Sequence, residues 1–589
     1  MSLPRRPQRR CEVEESVSTS DVEQRVASPA SPPRGRSTVG AKRPLQEWAG
    51  LLTGVVKVFS TMVKPHYSMP WQMCHEEKST ASGFVIEGRR ILTNAHAVAY
   101  YSSVRVRKYG DARKATAHVV AMGHDCDLAL LEVHDSWFWE GLEGAELPFG
   151  DLPELQADVT VVGFPLGGDN ISVTSGVISR MDYLDYVHGS EKLLAIQIDA
   201  AINAGNSGGP AFHAERVVGV AFQALDEGEN IGYIIPLEVV RHFLREVDRS
   251  GRFSGFGRLG VHWQTMENEH LRRYAQMQPE KSGVLLTRVL PVHPASGILR
   301  NGDVLLAVDG ALVADDGTIA FRGRERINFA YSFSLHSSED TVRLRILRGG
   351  EEAELDVPLG PVPRLVPSKL FDAKPSYVVH AGLVFTVLSE PFLEAEWGKV
   401  RVARTRTEGK NVRHECGFGF LLLIPSQGWD MRAPIKLVHA ALARFKEQPG
   451  EEVVVLSQVL AHPVTAGYDS QAFANMQVLK VGKQPLLNLR ALVTYLYREA
   501  FHSEFIEIEL SDNHTIVLPT HASHDATQDI CERHSIPLAV SEDMVDIVRG
   551  SAGAVPVPPC KRPRLDGDEE GNGSRGKRPR EGLAVPPDT

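Results

Sequence analysis

A mainly β, multidomain fold is what this sequence predicts, and three observations carry that reading. The chain has 589 residues, and single hydrophobic cores stop growing near about 250–300 residues. Its apolar residues recur in short runs rich in β-branched side chains, such as Val55-Val56-Lys57-Val58-Phe59 and Ala81-Ser82-Gly83-Phe84-Val85-Ile86, the second closing in a turn at Glu87-Gly88. The third observation is Gly205-Asn206-Ser207-Gly208-Gly209-Pro210. Glycine accepts backbone torsions that other residues resist, so this stretch reads as a tight, rigid turn presenting the Ser207 hydroxyl. The same turn can aim the N–H groups of Gly205 and Ser207 at one point, as an oxyanion hole requires. Alone, such a cluster is an ordinary surface turn; what lies upstream decides.

Composition narrows the classes. Hydrophobic residues make up 42% and charged residues 23%, the balance of a soluble globular protein, and a net charge of −10 argues against a dedicated, specific nucleic-acid binder. The six cysteines (Cys11, Cys74, Cys126, Cys416, Cys531, Cys560) are scattered with no CxxC pair. That argues against a disulfide scaffold or a zinc site and suits a reducing compartment. The longest apolar run, Gly417–Ile424, is far short of the roughly 20 residues of a membrane span. The opening Met1–Arg10 lacks the apolar stretch of a secretory signal, so a cytosolic or nuclear location is expected. Residues 1–45 are Pro-, Ser- and Arg-rich and read as disordered; Arg5, Arg6, Arg9 and Arg10 form either a targeting patch or a solvated tail.

Between residues 46 and 247 the pieces of a nucleophilic site appear in order. Ile91-Leu92-Thr93-Asn94-Ala95-His96 is a β run that delivers a histidine beside small alanines, where an imidazole can stand open to a cleft. Val104–Arg107 alternates as a half-buried strand does. Asp127 immediately precedes the apolar run Leu128-Ala129-Leu130-Leu131, where an acid can be buried at a strand end and face the second ring nitrogen of His96. Asp125 is a rival acid, set back in the preceding turn. His124-Asp125-Cys126-Asp127 also looks superficially like a metal-ligand set, but consecutive residues of an extended chain alternate in direction and do not converge on one ion. The order His96, Asp127, Ser207 is that of chymotrypsin-type enzymes.

The blocks Thr93-Asn94-Ala95-His96, Asp127–Leu131 and Gln197–Phe212 together resemble the signatures of the Deg/HtrA serine proteases, most closely the plant nuclear members. Val161–Gly167, Val173–Ser179 and Ile231–Pro236 extend the likeness. The resemblance implies a chymotrypsin-like double β-barrel over 46–247, with His96 as general base, Asp127 orienting it, Ser207 as nucleophile and no cofactor or metal. Trypsin-like enzymes carry an acid six residues before the nucleophile; here that place is Ala201, between Ala200 and Ile202, which implies a small apolar substrate pocket. Subunits of the family usually assemble from trimers, so a homo-oligomer is expected.

Leu237–Leu244 has helical spacing and reads as a connector. Beyond it, Leu259-Gly260-Val261, Gly283–Leu286 and Asn301–Gly310 resemble a PDZ domain over 248–360, with Phe321–Arg326 as a charged insertion. Residues 361–545 look like a second, diverged PDZ-like domain, in which Gly482-Lys483 replaces the Asp309-Gly310 type of turn and an insertion near 400–429 fits nothing around it. The tail 546–589 reads as disordered. Its clusters Lys561, Arg562, Arg564 and Lys577, Arg578, Arg580 resemble a bipartite nuclear localisation signal, implying an import receptor and residence in the nucleus, the nucleolus included. The functional expectation is an ATP-independent serine endopeptidase acting on unfolded, damaged or regulatory proteins. The alternative is a peptide-binding scaffold or holdase with little turnover, which has no need of an intact triad.

Overall fold

The computed structural model describes residues 50–166, 168–186, 189, 191–224, 231–398 and 428–549. The basic clusters of both ends and most of the 400–429 segment lie outside them. Described structure continues past the expected boundary at 545, as a short helix Val545–Arg549 that buries Ile547 and Val548.

Two closed six-stranded barrels lead the chain. The first comprises β1 (Val55–Met62), β2 (Glu77–Ile86), β3 (Arg90–Thr93), β4 (Tyr101–Lys108), β5 (Ala115–Gly123) and β6 (Leu128–Glu132), hydrogen-bonded in the order β1-β2-β3-β6-β5-β4. Period-2 alternation turns Val56, Val58, Val85, Ile91 and Leu131 into its core. The second comprises β7 (Asp158–Gly163), β8 (Ser172–Asp185), β9 (Lys192–Ile198), β10 (Pro210–His213), β11 (Arg216–Ala224) and β12 (Gly232–Pro236), in the order β10-β11-β12-β9-β8-β7. Val159, Val161, Ile178, Ile196 and Ile234 fill it.

The connector helix Leu237–Ser250 ends at Gly251, whose φ of 72° supplies the left-handed cap. Its Phe243 reaches back to the first barrel. A Cβ on Gly123, at the end of β5, would lie 3.0 Å from the Phe243 ring and 2.8 Å from Cys126 Sγ. The helix therefore supports the turn that follows β5, which carries Asp127.

The next module is a sheet in the order Val261–Gln264, Val284–Val289, Val304–Val308, Thr341–Arg348, Glu351–Pro358. The charged insertion at Phe321–Arg326 is part of a two-stranded hairpin, Thr318–Arg322 with Glu325–Asn328. It fastens this module to the second barrel, because Arg322 donates to the Pro153 carbonyl at 2.7 Å while pairing with Glu325.

The last module is a sheet in the order Tyr377–His380, Leu383–Val387, Val454–Val459, Met476–Val481, Phe505–Leu510, Thr515–Pro519, beside the helix Thr520–Arg533. The Gly482-Lys483 turn has φ values of 52° and 71°, and Asp309-Gly310 has 46° and 83°. Both are tight hairpin turns with two left-handed residues, so the substitution changes side chains and keeps the backbone conformation. Along the outer edge of Tyr377–His380 the chain adds its own residues as a strand. Val379 N–H donates to Ala539 O at 2.6 Å, and Ser541 N–H donates to Tyr377 O at 2.9 Å.

Candidate active site

His96 follows β3 by three residues, in a turn whose neighbours Asn94, Ala95 and Ala97 are buried. Two bonds fix that turn. Thr93 Oγ1 donates to Ser82 O at 2.7 Å, and Asn94 Nδ2 donates to Asp127 O at 2.8 Å. Asp127, the residue before β6, then grips His96 at two points. Its Oδ1 accepts the His96 backbone N–H at 2.8 Å, and its Oδ2 lies 2.7 Å from His96 Nδ1. With a carboxylate on Nδ1, the ring proton belongs there and Nε2 is the basic nitrogen. The carboxylate is 1% exposed and the imidazole 28%, so the acid is screened from water while the ring opens to solvent. Asp127 has φ 55°, a left-handed conformation that aspartate tolerates better than most residues.

The serine turn lies against this strand end. Ser82 N–H donates to Ser207 O at 2.9 Å. A Cβ on Gly208 (φ 82°) would lie 2.5 Å from Thr93 Oγ1 and 3.0 Å from the Asn94 nitrogen, so glycine is what lets the two loops meet. Gly205 has φ 97°, and a Cβ there would lie 2.5 Å from Phe164 O. Asn206 N–H closes the turn onto Asn203 O at 2.9 Å, while among the described residues neither Gly205 nor Ser207 N–H donates to a backbone carbonyl.

The tentative pocket residues divide. Ala200 is fully buried in the core of the second barrel, Ala201 is exposed, and Ile202 is half-buried. Ile202 leans on β12, with Cδ1 and Cγ1 2.9 Å from where a Cβ of Gly232 would stand. The nearest acid in sequence, Asp199, is bonded to Val177 N–H at 2.6 Å.

Asp125 lies against the loop after the connector helix, where a Cβ on Gly255 would stand 3.3 Å from its Oδ2. Burial, then the neighbouring Glu191, pushes its carboxyl up to about 6, against the pull of Arg258 and Lys369. Between the two acids, Cys126 is fully buried, and burial pushes its thiol well above the usual range.

Sequence reasoning missed Ser82. Its Oγ donates to Gly205 O at 2.7 Å and accepts Phe164 N–H at 2.8 Å, so a β2 residue of the first barrel holds both walls of the serine loop in the second. The run Ala81-Ser82-Gly83, small residues in an otherwise bulky strand, is the signal of a close backbone approach that could have found it.

Comparisons with known proteins bear on the same regions. A trypsin-like peptidase domain matches residues 81–220, and a PDZ domain matches 366–415 and 420–543, running through most of the 400–429 segment. Protease Do-like 2, chloroplastic, of Arabidopsis thaliana is 42% identical over 501 residues, 85% of this chain and 76% of the relative. Protease Do-like 4, mitochondrial, of the same plant is 38% identical over 492 residues, 84% of this chain and 85% of the relative. Among solved structures, HtrA-type protease AlgW with decapeptide aligns at 22% identity and a TM-score of 0.41, covering 54% of this chain and 98% of that one.

The expectation of a nuclear protein, with its import receptor and its place among nuclear family members, is corrected here. Both of these relatives, which align along most of the chain, carry organellar names, one chloroplastic and one mitochondrial. The Lys-Arg clusters that suggested import lie outside the described residues; a short basic cluster is also what any solvated tail can carry. With two Do-like proteases matching it along more than four-fifths of its length and a trypsin-like domain over its barrels, this chain belongs to the Deg/HtrA family and is a serine endopeptidase.

Proposed function

We propose that His96, Asp127 and Ser207 are the catalytic triad of an ATP-independent endopeptidase that cleaves unfolded or damaged proteins after small aliphatic residues. The observation that carries this reading is the two-point hold of Asp127 on His96 at 2.8 and 2.7 Å. A carboxylate bonded to both the ring and the backbone of one histidine orients it as a general base and stabilises the imidazolium formed when Ser207 attacks. The N–H groups of Gly205 and Ser207 receive the oxyanion of the tetrahedral intermediate. Ala201 and Ile202, apolar where trypsin-like enzymes carry an acid, favour Ala, Val or Leu before the scissile bond. The chemistry needs neither metal nor nucleotide.

The two sheet modules bind substrate or partner subunits, and the working particle is a homo-oligomer built from trimers. Of the two, the module over 248–360 is the better placed for peptide capture, because the edge strand Tyr377–His380 of the other is already paired with residues 539–541 of the chain. The test is cleavage of casein and of an unfolded reporter by wild type and Ser207→Ala. Loss of activity by several orders of magnitude supports the assignment, since triad removal costs that much. Residual activity within about tenfold points to another nucleophile.

A further inference from the structure

The alternation that turns Val56 and Val58 of β1 into the first barrel puts Lys57 on the opposite, outer face. Lys57 is nevertheless only 5% exposed. A buried ammonium is kept where acceptors replace the water it has lost. Here they come from the second barrel: Lys57 Nζ donates to Gly168 O at 2.7 Å and to Asp169 Oδ1 at 3.0 Å, between β7 and β8. The two bonds differ as anchors. Asp169 is 70% exposed and also pairs with Arg107 at 3.0 Å, so its carboxylate is shared with water and a second cation. The bond to Gly168 holds main chain directly.

Lys57 is the middle of a row. In the antiparallel ladder it stands opposite Arg107 of β4 on one side and Ser82 of β2 on the other, so the three side chains share one face. All three bond the same stretch of the second barrel. Arg107 donates to Asp169 O at 3.3 Å, Lys57 donates to Gly168 O, and Ser82 Oγ accepts the Phe164 N–H at 2.8 Å. That stretch walls the serine loop. Leu166 N–H donates to Ala204 O at 2.7 Å, and a Cβ on Gly205 would lie 2.5 Å from Phe164 O and 2.7 Å from the Leu166 nitrogen. Packing this close passes any displacement of the wall on to Gly205.

We propose that Lys57 is a positioning residue for the oxyanion hole: its bond to Gly168 O holds the β7–β8 stretch against the serine loop and thereby aims the N–H groups of Gly205 and Ser207. It acts through Gly168, Leu166 and Ala204 rather than on the reacting atoms. Its effect belongs to the transition state, because the oxyanion forms only once Ser207 has attacked. Loss of the anchor therefore lowers kcat and leaves KM nearly unchanged. The proposal rests on the triad and oxyanion reading above.

The experiment measures kcat and KM per titrated active site on a peptide substrate for full-length wild type, Lys57→Met and Asp169→Asn, with Ser207→Ala alongside. Inhibition by a peptide aldehyde, whose serine adduct carries the oxyanion, is measured on the same proteins. Lys57→Met keeps the apolar stem and loses the donor, so kcat falls about tenfold to a hundredfold, the cost of a misaimed oxyanion donor. Aldehyde inhibition weakens by the same factor, and KM stays within about twofold. Asp169→Asn keeps the Gly168 bond and stays within about threefold of wild type, because an exposed ion pair contributes little. Counting per titrated site separates positioning from stability, since a variant that merely unfolds loses sites and keeps its kcat. Lys57→Leu carries the same measurement should Lys57→Met fail to fold. Unchanged kcat per site, a fall in kcat with aldehyde inhibition unchanged, or an equal loss in Asp169→Asn overturns the proposal. Activity surviving in Ser207→Ala overturns the triad reading instead.

Discussion

Ser82 Oγ donates to the carbonyl of Gly205 at 2.7 Å, joining a strand of the first barrel to the loop of the second that presents Ser207. The same oxygen accepts the Phe164 N–H at 2.8 Å, and Ser82 is fully buried. One hydroxyl thus satisfies two backbone groups that have no access to water.

Ser82→Ala leaves a buried carbonyl and a buried N–H without that partner, at a cost of about 1–3 kcal/mol each. The loop relaxes to recover them, and Ser207 moves with it. Small displacements of a catalytic group cost up to about 10²-fold in rate, so kcat should fall between about ten- and a hundredfold with KM little changed. Steady-state kinetics and thermal unfolding of the variant check this. A lowered unfolding midpoint with unchanged kcat would show that the bond serves stability alone.

The contrast between Ser82 and the three residues proposed as a triad shows how local the signal in the sequence is. His96, Asp127 and Ser207 sit in local contexts that their neighbours dictate, namely a strand end, the residue before an apolar run, and a glycine turn. The strands Val55–Met62 and Leu128–Glu132 and the helix Leu237–Ser250 were likewise visible, because periodicity is local information. Ser82 acts across 123 residues on Gly205, and nothing local specifies that distance. The same holds for residues 539–541 beside Tyr377–His380 and for the Phe371 ring against that of His124, 5.6 Å between centroids: each pairing is decided by how modules pack. The nuclear reading failed for a different reason, because charge in a tail identifies no receptor.

Specificity should follow Ile202. Its side chain fills the space beside Gly232, with carbon atoms 2.9 Å from the missing Cβ position. Ile202→Ala opens that space, and preference should move from Val and Ala toward Leu, Met and Phe. One or two methylenes in an apolar pocket are worth about 10- to 200-fold in kcat/KM, so the change should be evident in cleavage products sequenced by mass spectrometry. Cleavage sites that do not move would place the pocket wall elsewhere.

The last module should lose stability in acid through His380. This histidine is fully buried, neither ring nitrogen has a hydrogen-bond partner among the described residues, and the ring lies 5.3 Å from that of His524. Burial, then His524, pushes it down to about 3. The unfolded chain takes up a proton near pH 6.5, whereas the folded chain refuses it until about 3. Stability from this group is therefore complete above pH 6.5 and declines as pH falls through that window, by about 2 kcal/mol at pH 5. Unfolding of wild type and His380→Phe across pH 4.5–7.5 should give curves whose difference is constant above pH 6.5 and shifts in the variant's favour, by about 2 kcal/mol at pH 5, as the pH falls. Parallel curves would mean that the protonation is taken elsewhere.

The two neighbouring acids give the sharpest separation of roles. Asp127 is bonded to both the ring and the backbone nitrogen of His96, whereas burial, then Glu191, pushes the Asp125 carboxyl up to about 6. Asp127→Asn keeps the shape but presents an amide to Nδ1, which stabilises the wrong tautomer and no longer offsets the imidazolium charge. On the precedent of such replacements in serine proteases, kcat should drop by about 10⁴-fold. Asp125→Asn removes a carboxylate that makes no bond to the pair, and kcat at pH 8 should remain within about threefold of wild type, the range of a change that leaves the reacting groups in place. Both variants should bind a covalent serine-directed inhibitor differently: slowly for Asp127→Asn, at near the wild-type rate for Asp125→Asn. Equal losses in the two variants would mean that the acid turn works as a rigid unit, and the assignment of the orienting role to Asp127 alone would have to be withdrawn.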